Sequence, residues 1–183
     1  RYKGKNKHDK QGISLLYKND SQFSGIIKYL KNKYKDNIEN EISITASSIP
    51  NPARQPRNVI LYEDKSKDFF STNESNPWIC FDFKDYSIRP TNYIIRSGSY
   101  DENSVHPKSW IIEGSNDNEN WEILDEQVDC SCLNGKNRVH AFTITKKEEN
   151  SEYRYVRMHL TGENWCGCYH MAIESIEFYG TLI

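Results

Sequence analysis

The chain has 183 residues, 36% of them hydrophobic and 27% charged, the length of one ordinary domain with a tail. No apolar run approaches the roughly 20 residues that cross a bilayer, so a transmembrane segment is excluded. Twenty-four basic and twenty-six acidic side chains leave a net charge of -2, which excludes a dedicated nucleic-acid binder whose affinity rests on released counterions.

Aromatic residues make up 13%, including twelve Tyr and four Trp, and with Ile, Val and Thr in short runs they favour a pleated, half-buried surface. Arg1 opens the sequence with no initiator Met, secretory segment or lipidation signal, which reads as a piece of a longer multidomain chain. The five cysteines all lie between Cys80 and Cys168. The two ends therefore cannot be stapled together, and a reducing, cytoplasmic setting is expected.

In chain order, residues 1–19 read as a basic tail or linker, with five permanent positive charges and one acid in the first ten. Residues 20–36 read as an amphipathic helix. Phe23, Ile26, Ile27, Leu30 and Tyr34 fall at helical spacing, Asp20 or Ser21 offers a cap, and Lys28, Lys31, Lys33 and Lys35 occupy the other side. From residue 41 the period changes, and Ile42, Ile44 and Ala46 alternate with polar residues. Ser47 to Arg57 holds three prolines and reads as irregular.

Further strands are predicted over Trp78 to Phe83, Thr91 to Arg96, Ser109 to Gly114, Trp121 to Leu124, Val139 to Ile144, Tyr153 to Leu160 and Ile173 to Gly180. Asn, Asp, Gly and Pro clusters separate them, and no intervening helix is long enough for a crossover, so they should pair antiparallel. The fold class is all-β, an antiparallel β-sandwich over residues 41–183 preceded by one helix. Residues 109–124 read as a hairpin, with Trp110 and Trp121 expected in the core and Asn118 suited to a left-handed turn position.

At this hairpin the sequence resembles the coagulation factor V/VIII type C, or discoidin-like, family. The matching pieces are Trp78-Ile79-Cys80-Phe81-Asp82-Phe83, Ile112-Glu113-Gly114-Ser115-Asn116-Asp117 with Trp121, Tyr153-Arg154-Tyr155-Val156-Arg157, and Ile176-Glu177-Phe178-Tyr179-Gly180. The resemblance implies a galactose-binding-like jelly roll. It is nearest to the branch found after BTB and BACK domains in large intracellular protist proteins, where a helix like residues 25–30 precedes the sandwich. It also implies a structural calcium ion near the start of the sandwich. The matching segment here supplies Glu63 and Asp64, diluted by Lys65 and Lys67.

Successive antiparallel strands reverse direction, so alternate connections should emerge at one end of the sandwich. The connections over residues 97–108, 125–136 and 161–171 would then meet, bringing together Tyr100, Asp101, His106, Asn134, Glu163, Trp165 and His170 as candidate ligand contacts. Cys130, Cys132, Cys166 and Cys168 would reach the same end, where four thiolates could surround zinc, although a single intervening residue is short for a zinc knuckle. Disulfides between the loops and free thiols are the alternatives.

No Gly-x-Ser-x-Gly turn, His-Glu-x-x-His helix or phosphate-cradling glycine loop is present, so no enzyme and no required cofactor is expected. The expected function is a non-catalytic recognition module that binds a carbohydrate or protein ligand through the loops at one end, within a larger scaffold. The other reading is a structural docking domain with no small-molecule ligand.

Overall fold

The computed structural model describes residues 11–145, 148 and 151–183. The basic segment 1–10 lies outside the described residues. In chain order the elements are β1 (Ile13–Leu15), α1 (Ile26–Tyr34), α2 (Ile38–Glu41), β2 (Ser43–Ala46), β3 (Phe69–Phe70), β4 (Trp78–Asp82), β5 (Ile88–Arg96), β6 (Trp110–Ser115), β7 (Glu122–Gln127), β8 (Val139–Thr143), β9 (Tyr155–Leu160), β10 (Ala172–Ile173) and β11 (Ser175–Leu182).

Two antiparallel sheets form a β-sandwich, one in the order β1-β11-β5-β8 and the other in the order β2-β4-β9-β6-β7. A small ladder joins β3 to β10. Period-2 alternation builds the faces: along β9, Val156, Met158 and Leu160 point inward while Tyr155, Arg157 and His159 stay half-exposed. The two inner faces meet in one core that includes Phe81, Tyr93, Trp110, Ile112, Met158 and Phe178. A buried polar chain runs through it: Trp110 Nε1 donates to the Tyr93 hydroxyl at 3.0 Å, and that hydroxyl donates to Asp125 at 2.8 Å.

The sheets are not a simple meander, because β5, β8 and β11 lie in one sheet while β4, β6, β7 and β9 lie in the other. Trp121 departs from the expected hairpin. It is half-buried on the outer face of its sheet, with the Arg157 guanidinium 3.9 Å from its ring centre. Asn118 adopts φ 61° in the turn, as its short polar side chain allows.

The segment expected to be tail or linker through residue 19 contains β1, which pairs with β11 from Ile13 opposite Leu182 to Leu15 opposite Gly180. Three residues, two of them exposed, are too few to show an alternating pattern. The helix is also shorter than residues 20–36, since Phe23 has φ 53° and cannot continue a right-handed turn. Ile26, Ile27 and Leu30 are buried in the same core as the sandwich, so helix and sheets are one packed unit.

Neither Asp20 nor Ser21 caps α1. The cap is long-range: the fully buried Glu177 of β11 accepts hydrogen bonds from the backbone N–H groups of Gly25 at 3.2 Å, Ile27 at 2.9 Å and Lys28 at 2.8 Å. Its own neighbour Phe178 donates a fourth bond at 2.8 Å. Helix N-termini leave such donors unmet, and a carboxylate there also meets the positive end of the helix dipole. Burial pushes the Glu177 carboxyl up to about 7 despite these bonds.

Candidate binding rim

The strands fix where the loops emerge. β5 ends at Arg96 where β6 begins at Trp110, β7 ends at Gln127 before β8, and β9 ends at Leu160 before β10, all at the same end of the sandwich. Hydrogen bonds tie these connections together. Asn103 N–H donates to Asn134 Oδ1 at 2.7 Å, Cys130 N–H to the Lys108 carbonyl at 2.8 Å, and Trp165 N–H to the His106 carbonyl at 3.3 Å. The three distant stretches therefore share one rim, as the alternation of strand direction implies.

A fourth connection, residues 47–77 between β2 and β4, joins them. Ser71 N–H donates to the Met171 carbonyl at 2.9 Å, and Tyr169 N–H donates to Asn73 Oδ1 at 2.8 Å. This connection brings Arg54, Asp68 and Phe70 against Tyr100 and His170. Arg54 Nε donates to Asp68 Oδ1 at 2.8 Å, Arg54 Nη2 reaches both Asp68 and the Tyr100 hydroxyl, and that hydroxyl donates to Asp68 Oδ2 at 3.2 Å. The guanidinium carbon lies 4.1 Å from the centre of the Phe70 ring, a cation–π contact. Phe70 in turn packs on His170 at 4.8 Å between ring centres and on Tyr100 at 6.3 Å.

The platform is half-buried, with side-chain exposures of 29% for Arg54 and 16% for Asp68. Its electrostatics follow from this partial burial. Hydrogen bonding to Asp68 raises the already high Arg54 guanidinium value, and burial, followed by the Asp68 charge, raises the Tyr100 phenol. Both groups therefore keep their protons at neutral pH, so Arg54 stays cationic and Tyr100 stays a hydroxyl donor. His170 donates from Nδ1 to the Ser71 carbonyl at 2.9 Å, which fixes its ring orientation.

The rim sorts the nominated residues by exposure. Tyr100, Trp165 and His170 are half-buried, while Asp101 and Glu163 are exposed. His106 has no exposed surface, and its Nε2–H is shared between the carbonyls of Tyr100 at 2.9 Å and Asp101 at 3.0 Å. Asn134 is likewise buried, and its amide donates to Asn103 Oδ1 at 2.9 Å. These two residues shape the loops and cannot touch a ligand, which corrects their placement among the contacts. Arg54 escaped sequence reasoning because the proline-rich stretch that holds it reads as irregular, and Asp68 and Phe70 because no strand is predicted between residue 57 and Trp78. The usable signal was that β2 precedes β4 in an antiparallel pair, so their connection must also emerge at this end.

The four-thiolate zinc reading does not survive the geometry. Cys130 and Cys132 are joined to each other in a disulfide, so they are neither zinc thiolates nor a bridge between loops. Cys166 and Cys168 are free thiols, and among the described residues no three His, Cys, Asp or Glu side chains group to hold an ion. Glu63 is paired with Lys28 and Lys31, and Asp64 Oδ1 accepts from Ser66 N–H at 3.0 Å and from its hydroxyl. Among the described residues, neither carboxylate falls in a group of three His, Cys, Asp or Glu side chains.

The sequence signature of the F5/8 type C domain matches residues 43–174. The chain belongs to the F5/8 type C domain family. Similar solved structures to this F5/8 type C domain include CpGH89CBM32-5 from Clostridium perfringens, in complex with GalNAc-β-1,3-galactose. It is 11% identical with a TM-score of 0.60, over 78% of this chain and 97% of that one. Chitosan-binding module 1 from a Paenibacillus chitosanase/glucanase is 18% identical with a TM-score of 0.57, over 76% and 96% of the two chains. A fucolectin from striped bass serum, Morone saxatilis, has 14% identity and a TM-score of 0.58, over 77% and 46%. At these identities the likeness shows the sandwich fold.

Among curated proteins, the F5/8 type C domain is 27% identical to E3 ubiquitin-protein ligase Ufd4 of Drosophila melanogaster over 135 residues, and 22% identical to E3 ubiquitin-protein ligase hecd-1 of Caenorhabditis elegans over 144 residues. These alignments cover 72% and 78% of this chain but 5% of each relative, so the chain spans a small fraction of their length.

Proposed function

We propose that this F5/8 type C domain is a non-catalytic recognition module that binds a carbohydrate on the platform of Arg54, Phe70, Tyr100 and His170. The observation that carries this reading is the combination of half-buried aromatic rings with a guanidinium held rigidly beside them. A sugar offers an apolar C–H face that packs against aromatic rings, and hydroxyls that accept from a single guanidinium N–H. Asp68 and Tyr100 hold Arg54 through two other nitrogens, while Nη1 makes no hydrogen bond among the described residues. The sugar-binding relatives named above support the ligand class.

The platform sits within a larger scaffold in this reading. The sequence resemblance suggests an intracellular chain with BTB and BACK domains, and the small share of the curated ubiquitin ligases that the domain spans supports a large parent of some kind. Those relatives also favour a second reading, in which the rim or the lysine face of α1 docks a protein segment.

A glycan array probed with the domain tests the first reading. The expected outcome is selective retention of a sugar class that R54A abolishes. Uniform absence of glycan binding by a folded domain, with thermal stability unchanged between the wild type and R54A, would leave the second reading in its place.

A further inference from the structure

The loop that follows β9 holds a second chemical feature, independent of any ligand on the platform. The Sγ atoms of Cys166 and Cys168 lie 2.8 Å apart, with Cys166 exposed and Cys168 half-buried. Cysteines two apart in a regular strand share a face but stand about 7 Å apart along it. Here the chain is curled by Gly167, whose φ of +78° belongs to the left-handed region that glycine enters without strain.

The curl is held from below by Asn164, which is 2% exposed. Its Oδ1 accepts from the backbone N–H of Cys166 at 3.1 Å and of Cys168 at 3.2 Å. Its Nδ2 donates to Cys168 Sγ at 3.2 Å and to the His170 carbonyl at 3.1 Å. A buried amide thus positions both thiols and aims a donor at one of them.

We propose that Cys166 and Cys168 form a redox modification site, a dithiol that exchanges with small disulfides of the glutathione type and closes to an internal disulfide. The two sulfurs differ in a way that sets the order of events. Burial would raise the Cys168 thiol, but hydrogen bonds from the Cys166 thiol, the Asn164 amide and backbone N–H groups outweigh it and hold the group below its ordinary range. Burial, followed by the bond to Cys168, raises Cys166. Cys168, whose sulfur receives the Asn164 Nδ2–H at 3.2 Å, is the attacking sulfur, because that donor stabilises the thiolate and the thiolate is the nucleophile.

Deprotonated Cys168 Sγ attacks one sulfur of the small disulfide, forming a mixed disulfide and releasing one small thiolate. Cys166 loses its proton to solvent, and its sulfur attacks the Cys168 sulfur and expels the second small thiolate. The two cysteine sulfurs are oxidised by two electrons in total, the small disulfide is reduced to two thiols, and the protons lost by the cysteines end on those thiols. Among the described residues no third His, Cys, Asp or Glu groups with the pair, which favours this redox chemistry over ion binding.

The test equilibrates the reduced, purified chain with glutathione mixtures of rising oxidised fraction, quenches in acid, alkylates with N-ethylmaleimide, and weighs the proteolytic peptides. The peptide holding Cys166 and Cys168 should pass from doubly alkylated to bridged. The C168S variant should form no bridge. G167V, which strains the turn, should move the midpoint at least about tenfold toward more oxidising mixtures. The bond between Cys130 and Cys132 is followed on its own peptide. Double alkylation at every ratio, a glutathione adduct that never resolves, or an unmoved midpoint in G167V would overturn the proposal.

Discussion

The Arg54 guanidinium covers the Phe70 ring at 4.1 Å while donating to Asp68, two residues before that ring. One side chain thereby locks a carboxylate, an aromatic face and, through Tyr100, a second loop into a single arrangement. Sites built this way need little reordering when a ligand arrives, which is where much binding energy is otherwise lost.

Replacing Arg54 with Ala should weaken glycan binding by at least about tenfold, or 1.4 kcal/mol. Arg54→Lys should lose nearly as much, since an ammonium cannot reproduce the fork to Asp68 and the stack on Phe70 together. Isothermal titration against the best array glycan measures both. Wild-type affinity in the Lys variant would show that only charge matters.

His106→Ala should behave oppositely. The ring is fully buried and joins two carbonyls of its own loop, so its removal should cost about 1–3 kcal/mol of stability. Denaturant unfolding should show that loss. A selective fall in glycan affinity with unchanged stability would return His106 to the ligand contacts.

The gathering of loops at one rim was readable because antiparallel pairing alone dictates it. The occupants of the rim were only half readable. Tyr100 and His170 have suitable side chains and are half-exposed there, whereas His106 and Asn134 have equally suitable side chains that packing consumed. Burial is decided by tertiary contacts, which residue type does not reveal. Arg54 and Asp68 are joined across fourteen residues in a stretch with no regular period.

Glu177 gives the same lesson at longer range, because its bond to Ile27 crosses 150 residues and no local capping pattern announces it. Its folded value, pushed up from 4.5 to about 7, also sets a sign. The folded state binds this proton more tightly than the unfolded chain, so the associated stability is fully present below about pH 4.5. It is lost as pH rises through about 7, by at most 1.36 kcal/mol per pH unit. Glu177→Gln should cost about 1–3 kcal/mol by turning a donor toward backbone N–H groups. Unfolding curves from pH 5 to 8 should show the wild type losing stability relative to this variant. A parallel pH course in the two proteins would refute the assignment.

Cys80 should resist alkylation in the folded protein. It is 5% exposed, and burial pushes its thiol up to about 12, so little thiolate exists at pH 8. Timed iodoacetamide labelling should modify Cys166 and Cys168 before Cys80. Equal rates would mean that β4 opens readily.

The most direct test of the platform is a chemical-shift titration of the isotope-labelled chain with GalNAc-β-1,3-galactose and with the strongest glycan from the array. Binding on the rim predicts saturable shifts centred on Arg54, Phe70, Tyr100 and His170, absent in R54A. Shifts centred instead on α1 or on the outer face around Trp121 and Arg157, or undiminished shifts in R54A, would contradict it.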